Sequence, residues 1–109
     1  METPCYVVIF TSTKSANTEG YEQTAERMRE LCEAQPGFLK MVHSVSDEGE
    51  SITSCYWQDL AFISAWKQNT EHQTAQKRGI EQWYDEYRIE IARIERAYHW
   101  QRELPVSRA

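Results

Sequence analysis

Between Tyr6 and Trp57 the spacing of apolar residues passes from an unbroken run to a helical period and then to alternation. A chain that changes period in that order has few folds open to it. Tyr6-Val7-Val8-Ile9-Phe10, followed by Thr11-Ser12-Thr13, reads as a buried strand. From Glu19 to Gln35 the residues Tyr21, Ala25, Met28, Leu31 and Cys32 recur three or four apart, with Glu22, Glu26, Arg29, Glu30 and Glu33 largely between them. This predicts one amphipathic helix with a solvated glutamate face, capped by Thr18 and stopped by Pro36-Gly37.

Phe38 to Ser46 sets Leu39, Met41, His43 and Val45 against Phe38, Lys40, Val42 and Ser44, and Asp47-Glu48-Gly49-Glu50 is a turn into Ser51–Trp57. The pattern is that of a β-hairpin. Asp59 is placed to cap a helix carrying Leu60, Phe62, Ile63 and Trp66. Thr70-Glu71-His72-Gln73 has capping-box spacing, so the helix breaks and restarts near Asn69. Gly79 is a stop or kink before Ile80 to Tyr84. Tyr87, Ile91, Ile94 and Tyr98 fit a helical period in the last element, but its wealth of Tyr and Ile, and the first strand's need for a partner, favour a long strand with a bulge near Ala92-Arg93. Residues 101–109, with Pro105, read as a loose tail to a single domain over residues 1–100.

The element order is β-α-β-β-α-β, that of a ferredoxin-like α+β plait with an antiparallel sheet and helices on one face. The other face of so small a sheet needs cover. A second copy of the chain supplies it most simply, which predicts a homodimer. A net charge of −5 spread over scattered basic residues argues against nucleic acid, since phosphate-backbone affinity depends on clustered Lys and Arg. No run reaches the length of a membrane span and the N-terminus lacks signal-peptide character, so no membrane partner and a cytoplasmic location are expected. Cys5, Cys32 and Cys55 have no Cys-x-x-Cys spacing and read as reduced core or near-core thiols, a reactive role being the alternative. His43, His72 and His99 are too far apart in sequence, and lack acidic partners at ligand spacing, to suggest a metal site.

Aromatics are the surplus, at 12 % of the chain, and they concentrate between Trp66 and Tyr87. Aromatic walls with a few convergent polar groups are what small-molecule pockets are made of. The Pro36-Gly37-Phe38 turn, the Tyr56-Trp57 strand end and Trp66-Lys67 with His72 six positions on come first in a telling series. Gly79, Trp83-Tyr84 and the closing Ile-x-Ala-Arg-Ile-Glu-Arg-x-Tyr segment complete it. In order and spacing these resemble the antibiotic biosynthesis monooxygenase-like family of dimeric α+β barrels, over roughly Tyr6 to Trp100.

The resemblance implies a scaffold shared by cofactor-independent oxygenation of polycyclic phenols, quinol oxidation and haem degradation. For the oxygenases it implies an apolar slot, a base and groups that hold an oxyanion. Trp66 as wall, His72 as base or donor and Tyr84 as hydrogen-bond partner fill those roles here. The oxygenases carry an Asn one turn before the Trp; that position is Phe62, and Asn69 lies on the other side. The haem degraders carry an axial His ten positions after the Trp, following an Ala, and an Asn near the end of the first strand. Here Ala75 is followed by Gln76, and the first strand ends in Thr11, Ser12 and Thr13.

The reading is therefore a small oxygenase or related oxidoreductase acting on a planar aromatic or quinone-like molecule, with no tightly held cofactor. His72 is the candidate catalytic group, and Trp66, Tyr84, Trp83, His43, Phe62 and Asn69 are the candidate substrate contacts. The alternatives are a non-catalytic dimeric binding module built on the same pocket and, last, haem degradation. For each of Trp57, Trp66 and Trp83 a purely core role competes evenly with a pocket role. His43, alternating with Met41 and Val45, reads more readily as a hydrogen-bonded core histidine.

Overall fold

A computed structural model describes residues 2–103. Four antiparallel strands, β1 (Cys5–Lys14), β2 (Phe38–Val45), β3 (Ser51–Trp57) and β4 (Tyr84–Ile94), lie in the order β2-β3-β1-β4. Helix α1 (Tyr21–Glu33) connects β1 to β2, while α2 (Leu60–Lys67), α3 (Thr70–Arg78) and a π-helical turn over Gly79–Trp83 connect β3 to β4. This is the ferredoxin-like α+β plait. The last element is a strand, paired with β1 along nearly its whole length.

Directly opposed residues of an antiparallel pair share a face. The register therefore puts Tyr6, Val8, Phe10 and Ser12 of β1 on one face with Trp57, Cys55, Thr53 and Ser51 of β3 and with Arg93, Ile91, Ile89 and Tyr87 of β4. The helices cover this face: Cys32 of α1 and Ile63 of α2 close over Trp57, with Tyr6, Val8, Phe38, Met41, Cys55, Phe62 and Trp66 packed around them. Trp57 is fully buried.

Local details depart from the sequence reading where tertiary contacts outweigh local signals. The bulge of β4 lies not at Ala92-Arg93 but at its start, where Lys14 pairs with Tyr84 and Thr13 with Glu86. The strand there leaves a helical turn and has to swing into register. In β2 the register shifts between Phe38 and Lys40, so Phe38, not Leu39, shares the helix-covered face with Met41. Helix α1 is capped by Gly20 in the left-handed conformation and not by the side chain of Thr18, whose carbonyl instead accepts from Tyr21 N. Gly79 neither stops a helix nor turns left-handed; its φ is −59° and the helix widens into the π turn. A Cβ there would meet the Tyr84 ring at 2.5 Å, so glycine is required by close approach. Residues 95–103 form no helix or strand, and residues 104–109 of the expected tail lie outside the described region.

Candidate functional site

The break between α2 and α3 builds the first half of the site. Asp59 caps α2 as its sequence position suggests, its carboxylate accepting from Ala61 N. Helix α3 restarts at Thr70, but the capping side chain is Asn69, whose Oδ1 accepts from His72 N at 3.1 Å. Asn69 thus spends its amide oxygen on the backbone. Because the chain turns at this point, His72 folds back on Trp66: the rings stack with centroids 4.2 Å apart and planes within 13°.

His72 Nδ1 lies 3.0 Å from the Trp66 carbonyl oxygen. A carbonyl only accepts, so Nδ1 carries the proton and donates, leaving Nε2 with a lone pair whenever the ring is neutral. Burial lowers the pKa of His72 below the usual histidine value, against the smaller, opposing pull of the Trp66 carbonyl. The ring is therefore a neutral proton acceptor near pH 7, fixed in one tautomer and one orientation.

A second aromatic group stands where β1 ends and β4 begins. Phe10 is 5.5 Å from Tyr84 and 5.7 Å from Tyr87, and Tyr21 of α1 meets both Trp83 and Tyr84 edge-on. Burial raises the Tyr84 phenol well above the ordinary tyrosine value, and Tyr21 adds to the shift through its charge and its hydrogen bond. Tyr84 is therefore a neutral hydrogen-bonding group and no source of phenolate. Lys14 Nζ sits 4.6 Å above the Tyr21 ring and donates to Ser51 Oγ at 2.8 Å. Beside it the Ser12 hydroxyl is buried with no hydrogen-bond partner among the described residues.

The two groups are neighbours. Val8, packed on the Trp57 cluster that also takes Trp66, and Phe10, which meets Tyr84 edge-on, are successive residues on one face of β1, roughly 7 Å apart by strand geometry. Opposite them Ile91 and Ile89 are 54 % and 43 % exposed, so an apolar floor lies open on this face of the sheet beside Tyr84. Near the start of β4 a cavity of about 290 Å³ is lined by Ile80, Tyr84, Asp85, Glu86 and Tyr87.

The other sequence candidates sit elsewhere. Trp83 is buried, its indole N–H donates to the Glu19 carbonyl at 2.8 Å, and Arg78 covers its ring. It ties the loop before α1 to the π turn. Phe62 packs on the Trp57 cluster and over Gly37. His43 does share a face with Met41 and Val45, but it is exposed, not core, and pairs with Thr53 Oγ1 at 2.9 Å. Sequence reasoning passed over Phe10, Tyr21, Tyr87, Ile89 and Ile91. The period-two spacing of the last three was a usable signal, but only the register with β1 reveals what they face. Among the described residues no three His, Cys, Asp or Glu side chains gather as metal ligands, and no helix is long and apolar enough to cross a membrane.

Residues 4–78 match the family described as Antibiotic biosynthesis monooxygenase. The chain belongs to that family. It is 43 % identical over 95 residues to the uncharacterized protein YqjZ of Bacillus subtilis (strain 168), covering 87 % of this chain and 83 % of that one. Among solved structures it is similar to Rv0793 of Mycobacterium tuberculosis, with a TM-score of 0.74 at 11 % identity over 86 % of this chain and 99 % of that one. It is also similar to SnoaB of Streptomyces nogalater, a cofactor-independent oxygenase, with a TM-score of 0.70 at 10 % identity over 94 % of this chain and 99 % of that one. At such identities the structural likeness establishes the fold.

Proposed function

We propose that this protein is a cofactor-independent monooxygenase that takes a planar phenolic or quinol-like molecule on the floor formed by Val8, Phe10, Ile89 and Ile91. The observation that supports this most is the geometry of His72, a neutral imidazole whose Nδ1–H is tied to the Trp66 carbonyl while Nε2 keeps its lone pair. Such a group removes a proton from a weakly acidic phenol. The resulting electron-rich anion reduces dioxygen, a carbon–oxygen bond forms, and loss of water from the hydroperoxide leaves a quinone. Trp66 holds the imidazole and walls the slot, while Tyr84, kept neutral by burial, donates to substrate oxygen. Family membership and the fold shared with SnoaB support the class of reaction. Gln76, in the position where a haem degrader would carry its axial imidazole, offers no ligand of that kind and speaks against haem as the substrate.

Oxygen uptake with a panel of anthrones, naphthols and hydroquinones, in flavin-free and metal-free buffer, tests the reading. His72→Ala should lower the turnover rate at least tenfold and abolish the part of its pH dependence that falls below the usual histidine value, with the fold intact. Saturable binding of these compounds with no oxygen uptake in the wild type would make the protein a binding module instead.

We further propose that the working form is a homodimer. The sheet face opposite the helices carries Ile9, Ile52 and Tyr56, all half-buried, and Val42, 51 % exposed, which is apolar surface for a second copy to cover. Sedimentation should give the mass of two chains at micromolar concentration; a stable monomer refutes the pairing.

A further inference from the structure

Two sulfur atoms in the core take no part in the chemistry proposed above. Cys32, on the inner side of α1, is 2 % exposed and packs with Trp57 and Ile63, and Cys55 from the middle of β3 presses into the same cluster. Both are free thiols, Cys32 buried and Cys55 half-buried, so the pair has an inner and an outer member. They come from different layers, helix and sheet, and meet in one packed cluster.

We infer that Cys32 and Cys55 form a peroxide-oxidisable dithiol, in which Cys55 reduces a hydroperoxide and Cys32 then closes an intramolecular disulfide. The direction follows from the environment of each sulfur. The neighbouring Cys55 and burial both push the Cys32 thiol up, which keeps it protonated. The neighbouring Cys32 favours thiolate at Cys55 against the opposing effect of burial. Thiolate is the nucleophile, and Cys55 is also the member that a molecule little larger than water reaches first.

The steps balance. The Cys55 thiolate attacks one oxygen of the peroxide, the O–O bond breaks, and the departing oxygen leaves as alcohol or water once protonated. Cys55 is then a sulfenic acid. The Cys32 sulfur attacks the Cys55 sulfur, the S–O bond breaks, and the Cys32 proton leaves with the hydroxyl as water. Two electrons have passed from the thiols to the peroxide, and α1 is bonded to β3 directly beneath the cluster that holds Trp66. An external thiol returns the pair to its starting state. Cys5, 1 % exposed at the start of β1, is an internal control for nonspecific oxidation.

The test uses the full chain, reduced, freed of reductant and treated with hydrogen peroxide, then alkylated and mapped by mass spectrometry. The expected product has lost two hydrogens, carries a Cys32–Cys55 crosslinked peptide, and has Cys5 still alkylated. In Cys32→Ser the crosslink is absent and Cys55 is captured by dimedone. In Cys55→Ser the peroxide leaves Cys32 as thiol, and Cys5→Ser crosslinks as fast as the wild type. If either core variant fails to fold by circular dichroism, the wild-type peptide map alone decides. The inference is overturned if Cys32 and Cys55 remain alkylatable at a peroxide dose that oxidises the urea-unfolded chain. It is equally overturned if the crosslink runs through Cys5, or if Cys32 in Cys55→Ser oxidises at the wild-type rate.

Discussion

Around Trp57 the helix-covered face of the sheet is closed: Cys32 and Ile63 sit on the indole, Phe38 meets it edge-on at 5.8 Å, and the ring is fully buried. One strand over, around Phe10 and Ile89, the same face of the same sheet is built from equally large side chains and stays open. The difference is one of cover. Helices α1 and α2 spend their apolar faces on the β2, β3 and β1 rows, and the β4 row is left to aromatic rings that touch one another, edge-on at Tyr84 and stacked between Phe10 and Tyr87. Hydrophobic content alone does not separate a core from a binding floor; which helix reaches which strand does.

Emptying the closed half should have the largest effect. Trp57→Ala should cost about 3–5 kcal/mol of stability in urea unfolding, because a sealed site cannot collapse around the cavity. An equally large loss for Phe10→Ala would erase the contrast between the two halves. Gly37→Ala comes next: φ is +81° and a Cβ would lie 2.1 Å from the Phe62 ring, so a loss of about 1–3 kcal/mol is expected from strain and overpacking. Asn69→Ala should cost about 1 kcal/mol as a lost helix cap, and it should also loosen the Trp66–His72 stack. The second effect would appear as a changed His72 titration by NMR, whereas a shift confined to stability would make Asn69 a cap alone.

The pH dependence sharpens the comparison further. The folded-state pKa of His72 lies below its unfolded value of about 6.5, so the unfolded chain takes up the proton first as pH falls. The stability due to a neutral His72 is therefore complete above pH 6.5 and declines as pH drops from there through the folded pKa. Thermal melts from pH 7.5 to 5 should show that slope in the wild type and a shallower one in His72→Gln. The smallest effect belongs to the groove of about 380 Å³ between α1 and α3, where Arg27 and Glu71 form a solvent-exposed ion pair at 3.0 Å. Arg27→Ala should leave the melting temperature unchanged at physiological salt.

Much of the fold was legible in residue spacing. The two helical breaks followed from Pro36-Gly37 and from the polar residues around Asn69, and the order of strands and helices from the switches in period. The misreadings share one cause. The bulge of β4, the face of Phe38 and the cap of α1 depend on which strand lies alongside or where a carbonyl happens to fall, and local sequence carries no record of that. The site divides similarly. Trp66 and His72 are close in sequence, so a single break brings them together; Phe10, Tyr21 and Ile89 come from three distant elements, and the half of the site they build needs the register of the β1–β4 pair.

That pair also governs when the molecule can come into being. Of the four strands β1 is made first and needs two neighbours, and its partner on one side is the fourth: Cys5 waits for Ile94. Until then a nascent chain holds three strands, with the β4 side of β1 unpaired. Closing so long a loop is slow, and the transition state has to meet that entropy before the central contacts repay it. The sheet therefore closes only once β4 has been made. A chain that stopped before Tyr84 would lose not an appendage but the closing strand, and with it one side of β1.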